Sequence, residues 1–318
     1  MQTTAQAEAA IQDDFATEVL AGLSRRPRST PCRFLHDARG SELFERITGL
    51  EEYYPTRTEI GLLERHAGDV AEMAGEDAAI VEFGSGSSRK TEILIAALRE
   101  LAAYVAIDIS AAALAEAATR LRGRFPGLEV IAVTGDFNEA ITLPAKLAGT
   151  RKLGFFPGST IGNLGKDEAV GFLRTARELL GENGALLIGV DLKKDASILV
   201  PAYDDSEGVT AAFNLNLLTR INRELDGTFD LAQFAHEAIY NAEAGRMEIY
   251  ITSRADQEVS VLGRRFAFAE GERIHTENSH KYALADITAM AEAAGWTHAQ
   301  AWVDDDNLFS LNMLTQAG

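Results

Sequence analysis

Short apolar runs alternate with helical patterns through the middle of this sequence, and this alternation constrains the fold more than any other feature. The apolar runs lie at residues 78–83, 104–108, 128–133, 153–156 and 185–191. Segments with apolar residues at helical spacing follow them, at 90–101, 111–121, 140–147 and 168–180. Nearly continuous apolar strands are typical of a sheet that is covered on both faces. Repeated strand–helix units therefore predict a parallel, doubly wound sheet.

The segments on either side of this region have a different pattern. Helical spacing dominates the first 75 residues and returns at 200–226, and alternating segments at 247–251 and 258–262 predict antiparallel strands. The pattern of the central sheet returns with a helix at 284–294. The sequence thus predicts an α/β domain formed by residues 60–195 and 285–318, and an inserted and N-terminal α+β lobe formed by residues 1–59 and 196–284.

Composition excludes several classes of protein. Of the 318 residues, 48 are acidic and 30 are basic, which gives a net charge of −18. Binding to nucleic acid would need clustered basic residues instead. No apolar run approaches the roughly 18 residues of a membrane span, and the first residues lack the basic and apolar regions of a signal peptide. We therefore expect a cytoplasmic protein that binds neither nucleic acid nor membranes.

The cysteine and histidine content argues against a metal site. The single cysteine, Cys32, excludes intrachain disulfides and cysteine-based zinc sites. The six histidines show no ligand spacing; they are His36, His66, His236, His275, His280 and His298. Lone histidines are seldom catalytic without a positioned partner. We expect no metal, and spacing alone indicates that each histidine is structural.

Three strand ends carry groups that suit an adenosine-containing cofactor. Segment 82–88 reads Glu-Phe-Gly-Ser-Gly-Ser-Ser, and its glycines let a ligand approach the backbone where the first strand ends. Asp108 ends the next strand, where a carboxylate can accept hydrogen bonds from both ribose hydroxyls. After the third strand, Asp136 can accept from an adenine amine and Phe137 can cover the base. Taken singly, each feature also fits a tight turn or a helix cap.

Residues at the same edge of the sheet help to distinguish between two adenosine-containing cofactors, NAD and S-adenosylmethionine. A dinucleotide fingerprint requires a third glycine where Arg89 stands. Glu82, just before the glycines, would repel a pyrophosphate but would tolerate the sulfonium and ammonium groups of S-adenosylmethionine. These features favour S-adenosylmethionine over NAD, and the sequence offers no set of residues suited to hydride transfer.

Polar and aromatic clusters supply candidates for a substrate site. Asn163 follows the fourth strand, where a catalytic residue would face a donated methyl group, although capping of the next helix fits it equally well. Tyr53 and Tyr203 lie in clusters that, taken alone, indicate packing. Glu277 and Ser279 belong to the polar run Thr-Glu-Asn-Ser, for which a turn is the simpler interpretation.

Seven separated motifs resemble those of the histidine-specific, S-adenosylmethionine-dependent Nα-methyltransferases, which form hercynine in ergothioneine biosynthesis. They lie at residues 52–59, 82–91, 135–137, 158–164, 202–205, 208–214 and 276–279. The resemblance extends from about residue 31 onward. It implies a Rossmann-like class I methyltransferase domain with an inserted lobe that binds histidine, and S-adenosylmethionine as cofactor. We expect a monomer that acts on the small molecule L-histidine.

The resemblance also implies roles for particular residues. The family holds its cofactor at the positions of Gly84, Lys90, Asp108, Asp136 and Phe137. It holds histidine at the positions of Tyr53, Asn163, Tyr203, Glu277 and Ser279. Glu277 and Ser279 would contact the imidazole, and Asn163 and Tyr203 the amino-acid head group, with Tyr53 and Asn163 as the expected catalytic residues. His36 replaces a tyrosine of the family near the amine, and we expect it to affect the relative rates of the successive methylations.

Two alternatives remain open. The same scaffold could methylate another amino acid or amine, or the chain could be a non-catalytic S-adenosylmethionine-binding protein that acts through partner contacts. The joint presence of Asp108, Asn163 and Glu277 argues against the second alternative, because binding alone has no physical need for all three.

Overall fold

The computed structural model describes residues 4–84, 89–98, 100–109, 111–135, 137 and 141–316. The helices are α1 (Thr4–Ser24), α2 (Ala38–Thr48), α3 (Tyr54–Ala74), α4 (Arg89–Ala97), α5 (Ala111–Arg124), α6 (Lys166–Leu180), α7 (Ala196–Tyr203), α8 (Val209–Glu224) and α9 (Leu284–Ala293). The strands are β1 (Arg28–Ser29), β2 (Ala79–Phe83), β3 (Ala103–Asp108), β4 (Val130–Thr134), β5 (Lys152–Phe156), β6 (Ala185–Asp191), β7 (Phe234–Asn241), β8 (Arg246–Ser253), β9 (Gln257–Val261), β10 (Arg264–Phe268), β11 (Arg273–His280), β12 (Trp296–Val303) and β13 (Phe309–Gln316). Short 3-10 helices lie at Cys32–Leu35, Ala145–Leu147, Thr160–Asn163 and Leu231–Gln233.

The chain divides into two compact units, each formed by two separate segments. The smaller unit comprises residues 1–54 and 195–279, and the larger unit comprises residues 55–194 and 280–318. The sequence pattern places the corresponding boundaries at residues 60, 196 and 285, a few residues further along the chain.

The larger unit is built on a seven-stranded sheet with the order β12-β13-β6-β5-β2-β3-β4. The strands from β2 to β6 run parallel, whereas β13 runs antiparallel to both β6 and β12. The predicted α/β class is therefore confirmed, with an antiparallel pair on one side that the apolar pattern does not reveal. The strand order reverses between β2 and β5, and open α/β sheets bind ligands at the carboxyl ends of the strands beside such a reversal.

Alternate residues of the central strands enter cores on opposite faces of this sheet. Val81 and Val105 belong to the core that α6 and α9 cover, whereas Ile80 and Tyr104 belong to the core formed with α3 and α5. Burying one large aliphatic side chain contributes about 1.5–3 kcal/mol. This two-sided burial explains why the predicted strands are continuously apolar.

The smaller unit contains a four-stranded sheet with the order β1-β11-β8-β7 and a separate hairpin of β9 and β10. β7 and β8 are antiparallel, and β1 joins β11 in parallel. Helices α7 and α8 pack on β7 and β8, and α8 buries Phe213, Leu217 and Ile221 at helical spacing. These elements place α7, which ends at Tyr203, next to the sheet that contains β11.

Two predicted helices differ from the observed ones. No helix forms at residues 141–144, and only Ala145–Leu147 form a 3-10 turn, because Pro144 lacks an N–H and restricts the residue before it to extended conformations. The helix expected over 200–226 is divided into α7 and α8. The break ends at Gly208, whose φ of 71° a helix interior does not allow.

The polar run 276–279 also differs from expectation, since it lies inside strand β11 and is not a turn. Strands β7 and β10 were not apparent in the sequence pattern at all. In the part of the chain that the structure describes, none of the helices combines the length and hydrophobicity needed to cross a bilayer.

Candidate active site

The turn after β2 brings together two of the residues predicted to hold a cofactor. Gly84 has a φ of 74°, which L side chains rarely adopt, and its N–H donates to the carbonyl of Ile107 at 2.9 Å. A Cβ at Gly84 would lie 3.7 Å from the ring of Phe137. Gly84 and the Phe137 ring therefore lie next to each other at the carboxyl edge of the sheet.

Phe137 is held from behind by two other aromatic rings. Its ring centroid lies 5.4 Å from that of Phe156 and 5.6 Å from that of Phe172, both in edge-on geometry. Phe137 itself is only partly buried. This packing fixes the ring while leaving part of its surface accessible.

Asp108 lies half-buried at the end of β3, the strand next to β2. Its carbonyl accepts a hydrogen bond from the N–H of Gly135 at 3.0 Å, which ties together the ends of β3 and β4. Asp136, the other carboxylate predicted at this edge, lies outside the described residues.

Lys90 is predicted to bind the cofactor, and its ammonium forms a buried ion pair. Its Nζ lies 2.6 Å from Oε2 of Glu59, which has no exposed surface. The N–H of Gly158 lies 3.0 and 2.9 Å from the two oxygens of the same carboxylate. Glu59 therefore connects α3, α4 and the loop after β5. No local sequence pattern indicates this role of Glu59, because its partners are far apart along the chain.

Glu82 lies inside the core and not at the surface where a ligand would bind. Its carboxylate is fully buried and accepts hydrogen bonds from Thr91 Oγ1, at 3.0 and 2.7 Å, and from the Tyr104 hydroxyl, at 2.5 Å. Burial raises the pKa of this carboxyl to about 7, although the hydrogen bonds from Tyr104 and Thr91 oppose that rise. Glu82 thus supports the strand from inside the core, and the interpretation that it faces a cationic ligand is wrong.

Asn163 ends the 3-10 helix Thr160–Asn163 after β5, and it caps no helix. The N-cap of α6 is Gly165, whose N–H donates to Glu168 at 2.7 Å. A Cβ on Gly162 would lie 2.8 Å from the carbonyl oxygen of His280. The loop that presents Asn163 therefore packs directly on the backbone of the segment that leaves β11.

A buried charge cluster supports the same loop. Ser159 Oγ accepts a hydrogen bond from the Asp191 N–H at 2.9 Å, and the Asp191 carboxylate lies 2.5 Å from Lys194 Nζ and 2.7 Å from Lys281 Nζ. Burial lowers the pKa of Lys194 to about 8, although Asp191 acts in the opposite direction. Removing one partner of such a buried pair costs about 3–5 kcal/mol, so this cluster fixes the loop strongly.

In the smaller unit, two residues predicted to bind substrate contact each other. The hydroxyl of Tyr203, at the end of α7, lies 2.8 Å from Ser279 Oγ on β11. Ser279 is buried and Tyr203 is partly exposed. Glu277 lies two residues before Ser279 on the same strand and is also partly exposed. The structure thus places three of the predicted substrate residues on neighbouring elements of one unit.

Aromatic rings connect the other predicted substrate residues of this unit. The ring centroid of Tyr53 lies 6.3 Å from that of Tyr203 and 6.3 Å from that of Phe44. His36 lies 5.5 Å from Phe44 and 5.4 Å from Phe213. His36 is solvent-accessible, but desolvation by its surroundings lowers its imidazole pKa. We call these five residues, His36, Phe44, Tyr53, Tyr203 and Phe213, the aromatic cluster.

The start of α8 contains a polar group that the sequence analysis missed. Asp205 accepts hydrogen bonds from the N–H groups of Val209, at 2.9 Å, and Thr210, at 2.7 Å. Burial raises the pKa of this carboxyl, but hydrogen bonds from the Thr210 side chain and from the N–H groups of Thr210 and Val209 outweigh it and lower the pKa overall. The Asp and Gly that precede Thr210 are a recognisable helix-start signal.

The sequence of this chain is similar to those of known methyltransferases. A model of the family described as histidine-specific, SAM-dependent methyltransferases matches residues 15–316. The histidine N-alpha-methyltransferase of Mycolicibacterium smegmatis is 40% identical over 301 residues, which cover 93% of each chain. Ergothioneine biosynthesis protein 1 of Neurospora crassa is 30% identical over 322 residues, which cover 97% of this chain but 36% of that longer protein.

A solved structure of a mitomycin 7-O-methyltransferase is similar with a TM-score of 0.50 and 17% identity, covering 98% of this chain and 70% of that one. At this identity the likeness concerns the fold alone.

Proposed function

This chain belongs to the histidine-specific, SAM-dependent methyltransferases, and from that membership we propose that it converts L-histidine to Nα,Nα,Nα-trimethyl-L-histidine, hercynine, for ergothioneine biosynthesis. The observation that carries the proposal is the family match, which spans residues 15–316. The names of the bacterial and fungal relatives support histidine as the substrate and ergothioneine as the pathway.

The larger unit has the groups that S-adenosylmethionine needs. The fit is supported by the position of Gly84 beside the partly exposed Phe137 ring, because an adenine requires an apolar surface next to accessible backbone. We propose that Asp108 accepts hydrogen bonds from the ribose hydroxyls and that Lys90 belongs to another part of the cofactor site. Asp136 keeps its proposed role toward the adenine amine.

The smaller unit has the groups that histidine needs. Its imidazole carries one N–H donor and one acceptor nitrogen, and we propose that Glu277 and Ser279 contact these two nitrogens. Tyr203 is proposed to bind the amino-acid head group, and the family resemblance implies the same role for Asn163. Tyr53 and Asn163 are the proposed catalytic residues, since they would orient the amine.

Methyl transfer from a sulfonium to an amine moves a positive charge from sulfur to nitrogen and creates no oxyanion. The residues of the chain therefore contribute mainly by orienting the two reactants. When bound, S-adenosylmethionine supplies the electrophilic methyl group. Orienting two reactants can contribute roughly 7–11 kcal/mol. The nucleophile must be a neutral amine, and the proton that it releases needs a route to water. Tyr53 is only 8% exposed, so it has little contact with water. It therefore suits orientation of the amine better than transfer of the amine's proton to solvent.

Mass spectrometry tests the proposed function directly. The purified chain should convert histidine to mono-, di- and trimethylated products in the presence of S-adenosylmethionine, and a panel of other amino acids should react far more slowly. The variant Asn163→Ala should fold and lose most of this activity, which controls for contaminating enzymes. Preferential methylation of another amino acid would assign a different substrate to the scaffold, and no methylation at all would support a non-catalytic binding protein.

His36 is predicted to influence product distribution, because the aromatic cluster links its ring through Phe44 to Tyr53. His36→Tyr should change the ratio of mono-, di- and trimethylated histidine during a time course resolved by mass. His66→Tyr is a matched control, since His66 lies on α3 and bonds Asp69 at 3.0 Å. An identical product profile in His36→Tyr and the wild type would mean that His36 only packs.

The expectations of a monomer and of a cytoplasmic location stay predictions. Sedimentation of the full chain with and without histidine would test the first, and fractionation of the producing cells the second.

A further inference from the structure

A partly buried histidine in the smaller unit contacts the backbone of Tyr203. His236, on β7, lies with its Nε2 2.7 Å from the carbonyl oxygen of Tyr203. Tyr203 is the last residue of α7, and the last carbonyls of a helix lack partners within the helix. A carbonyl can only accept, so Nε2 of His236 carries the proton and donates it. The imidazole therefore completes the end of the helix that presents Tyr203.

The second ring nitrogen of His236 fixes its tautomer. Nδ1 lies 3.0 Å from Nδ2 of Asn214, and the same Nδ2 donates to the carbonyl of Tyr250 at 2.9 Å. Because that carbonyl needs a donor, the orientation of the Asn214 amide is determined. Nδ1 of His236 must then accept, which agrees with a neutral ring protonated at Nε2. Burial lowers the imidazole pKa, despite a hydrogen bond to Tyr203 that raises it.

Asn214 extends this network to the strand that carries the other predicted substrate residues. Its Oδ1 accepts from Thr276 Oγ1 at 2.8 Å, and Thr276 directly precedes Glu277 on β11. Asn214 is 1% exposed and Thr276 is 1% exposed. The network therefore contacts Tyr203 itself, at the end of α7, and β11, the strand that carries Ser279.

We propose that His236 is a positioning residue for histidine methylation, which acts by holding Tyr203 in register with Ser279 through the His236–Asn214–Thr276 network. This inference rests on the proposed function of Tyr203 and Ser279 in binding histidine. It gives His236 a role that residue spacing along the sequence does not indicate.

Protonation of His236 would break the network. A second proton on Nδ1 would face the Nδ2 donor of Asn214, and that amide cannot reverse without losing its bonds to Tyr250 and Thr276. The charged groups that act on the ring are Asp204 and Asp205, in the segment between α7 and α8, and Glu237 on β7. All three carboxylates favour the protonated form of the imidazole, but burial opposes it and lowers the pKa overall. His236 should therefore be protonated only at acid pH. The network, and with it the binding of histidine, should be lost only there.

The test combines two single variants with their double variant. His236→Phe preserves an aromatic ring but removes both hydrogen bonds, and it should raise the KM for histidine roughly tenfold while the Kd for S-adenosylmethionine stays unchanged. His236→Gln, which can still donate and accept, should restore most of the binding. In a Tyr203→Phe background, His236→Phe should add little to the KM, because the contact that His236 supports is already lost.

His298→Phe is the matched control, since His298 also makes two side-chain hydrogen bonds, to Thr288 and Asn312, but in the larger unit. Its KM for histidine should stay at the wild-type value. Additive effects of His236→Phe and Tyr203→Phe, or an unchanged KM in His236→Phe, would overturn the positioning role while leaving the proposed function intact. A wild-type chain that methylates no histidine would overturn both.

Discussion

Replacing Glu277 by alanine should raise the KM for histidine by roughly 10- to 100-fold, because hydrogen bonds to charged groups contribute about 1.5–3 kcal/mol. We propose that this carboxylate accepts the N–H of the imidazole, so the discrimination against other amino acids should fall as well. A site built to hydrogen-bond a substrate group rejects substrates that lack it, since the polar side chain is then left unpaired. The Kd for S-adenosylmethionine should change little.

The ratio of catalytic efficiencies for histidine and tryptophan is the decisive measurement for Glu277. Glu277→Ala should reduce this ratio, whereas Glu270→Ala should not, because Glu270 is an exposed residue in the turn between β10 and β11. Surface substitutions of that kind usually change stability by no more than about 0.5 kcal/mol. Equal ratios in Glu277→Ala and the wild type would remove Glu277 from the imidazole site.

Asp108→Ala should abolish most S-adenosylmethionine binding in a chain that remains folded. The change removes two hydrogen bonds from ribose hydroxyls to one carboxylate, and each contributes about 1.5–3 kcal/mol. We therefore expect the affinity for S-adenosylmethionine to fall at least 100-fold. Asp108 lies at the end of β3 and is only half-buried, which is why the fold should tolerate the change.

Calorimetric titration with S-adenosylmethionine measures this loss, and circular dichroism checks that the variant is folded. Asp305→Ala is a suitable control, since the Asp305 side chain is 88% exposed in the turn between β12 and β13. Unchanged affinity in a folded Asp108→Ala variant would show that the carboxylate lies outside the cofactor site.

The parallel sheet was predictable because its central strands, such as β2 and β6, are buried on both faces and so are almost continuously apolar. The smaller unit was harder to predict. Its strand β11 contains the polar run Thr-Glu-Asn-Ser, which local propensity assigns to a turn. Pairing with neighbouring strands determines its conformation instead, and no local pattern records those partners.

The candidate site shows the same limit. The roles of Glu59 and Glu82 depend on partners far away along the chain, such as Gly158 for Glu59 and Tyr104 for Glu82. From the sequence, Glu82 was interpreted as a ligand-facing acid, and only its buried hydrogen bonds show otherwise. His236 likewise could not be singled out among six histidines, because its partners Asn214 and Tyr203 come together only when α7, α8 and β7 pack.

The position of β13 between β12 and β6 has a consequence for how this sheet is completed during synthesis. β6 is made more than a hundred residues before β13, and until β13 arrives one edge of β6 has no strand to pair with. Unpaired edges of apolar strands are the sites at which chains aggregate. The larger unit can therefore close only after β13 has left the ribosome, and chains arrested before residue 309 should be directed to chaperones or proteases.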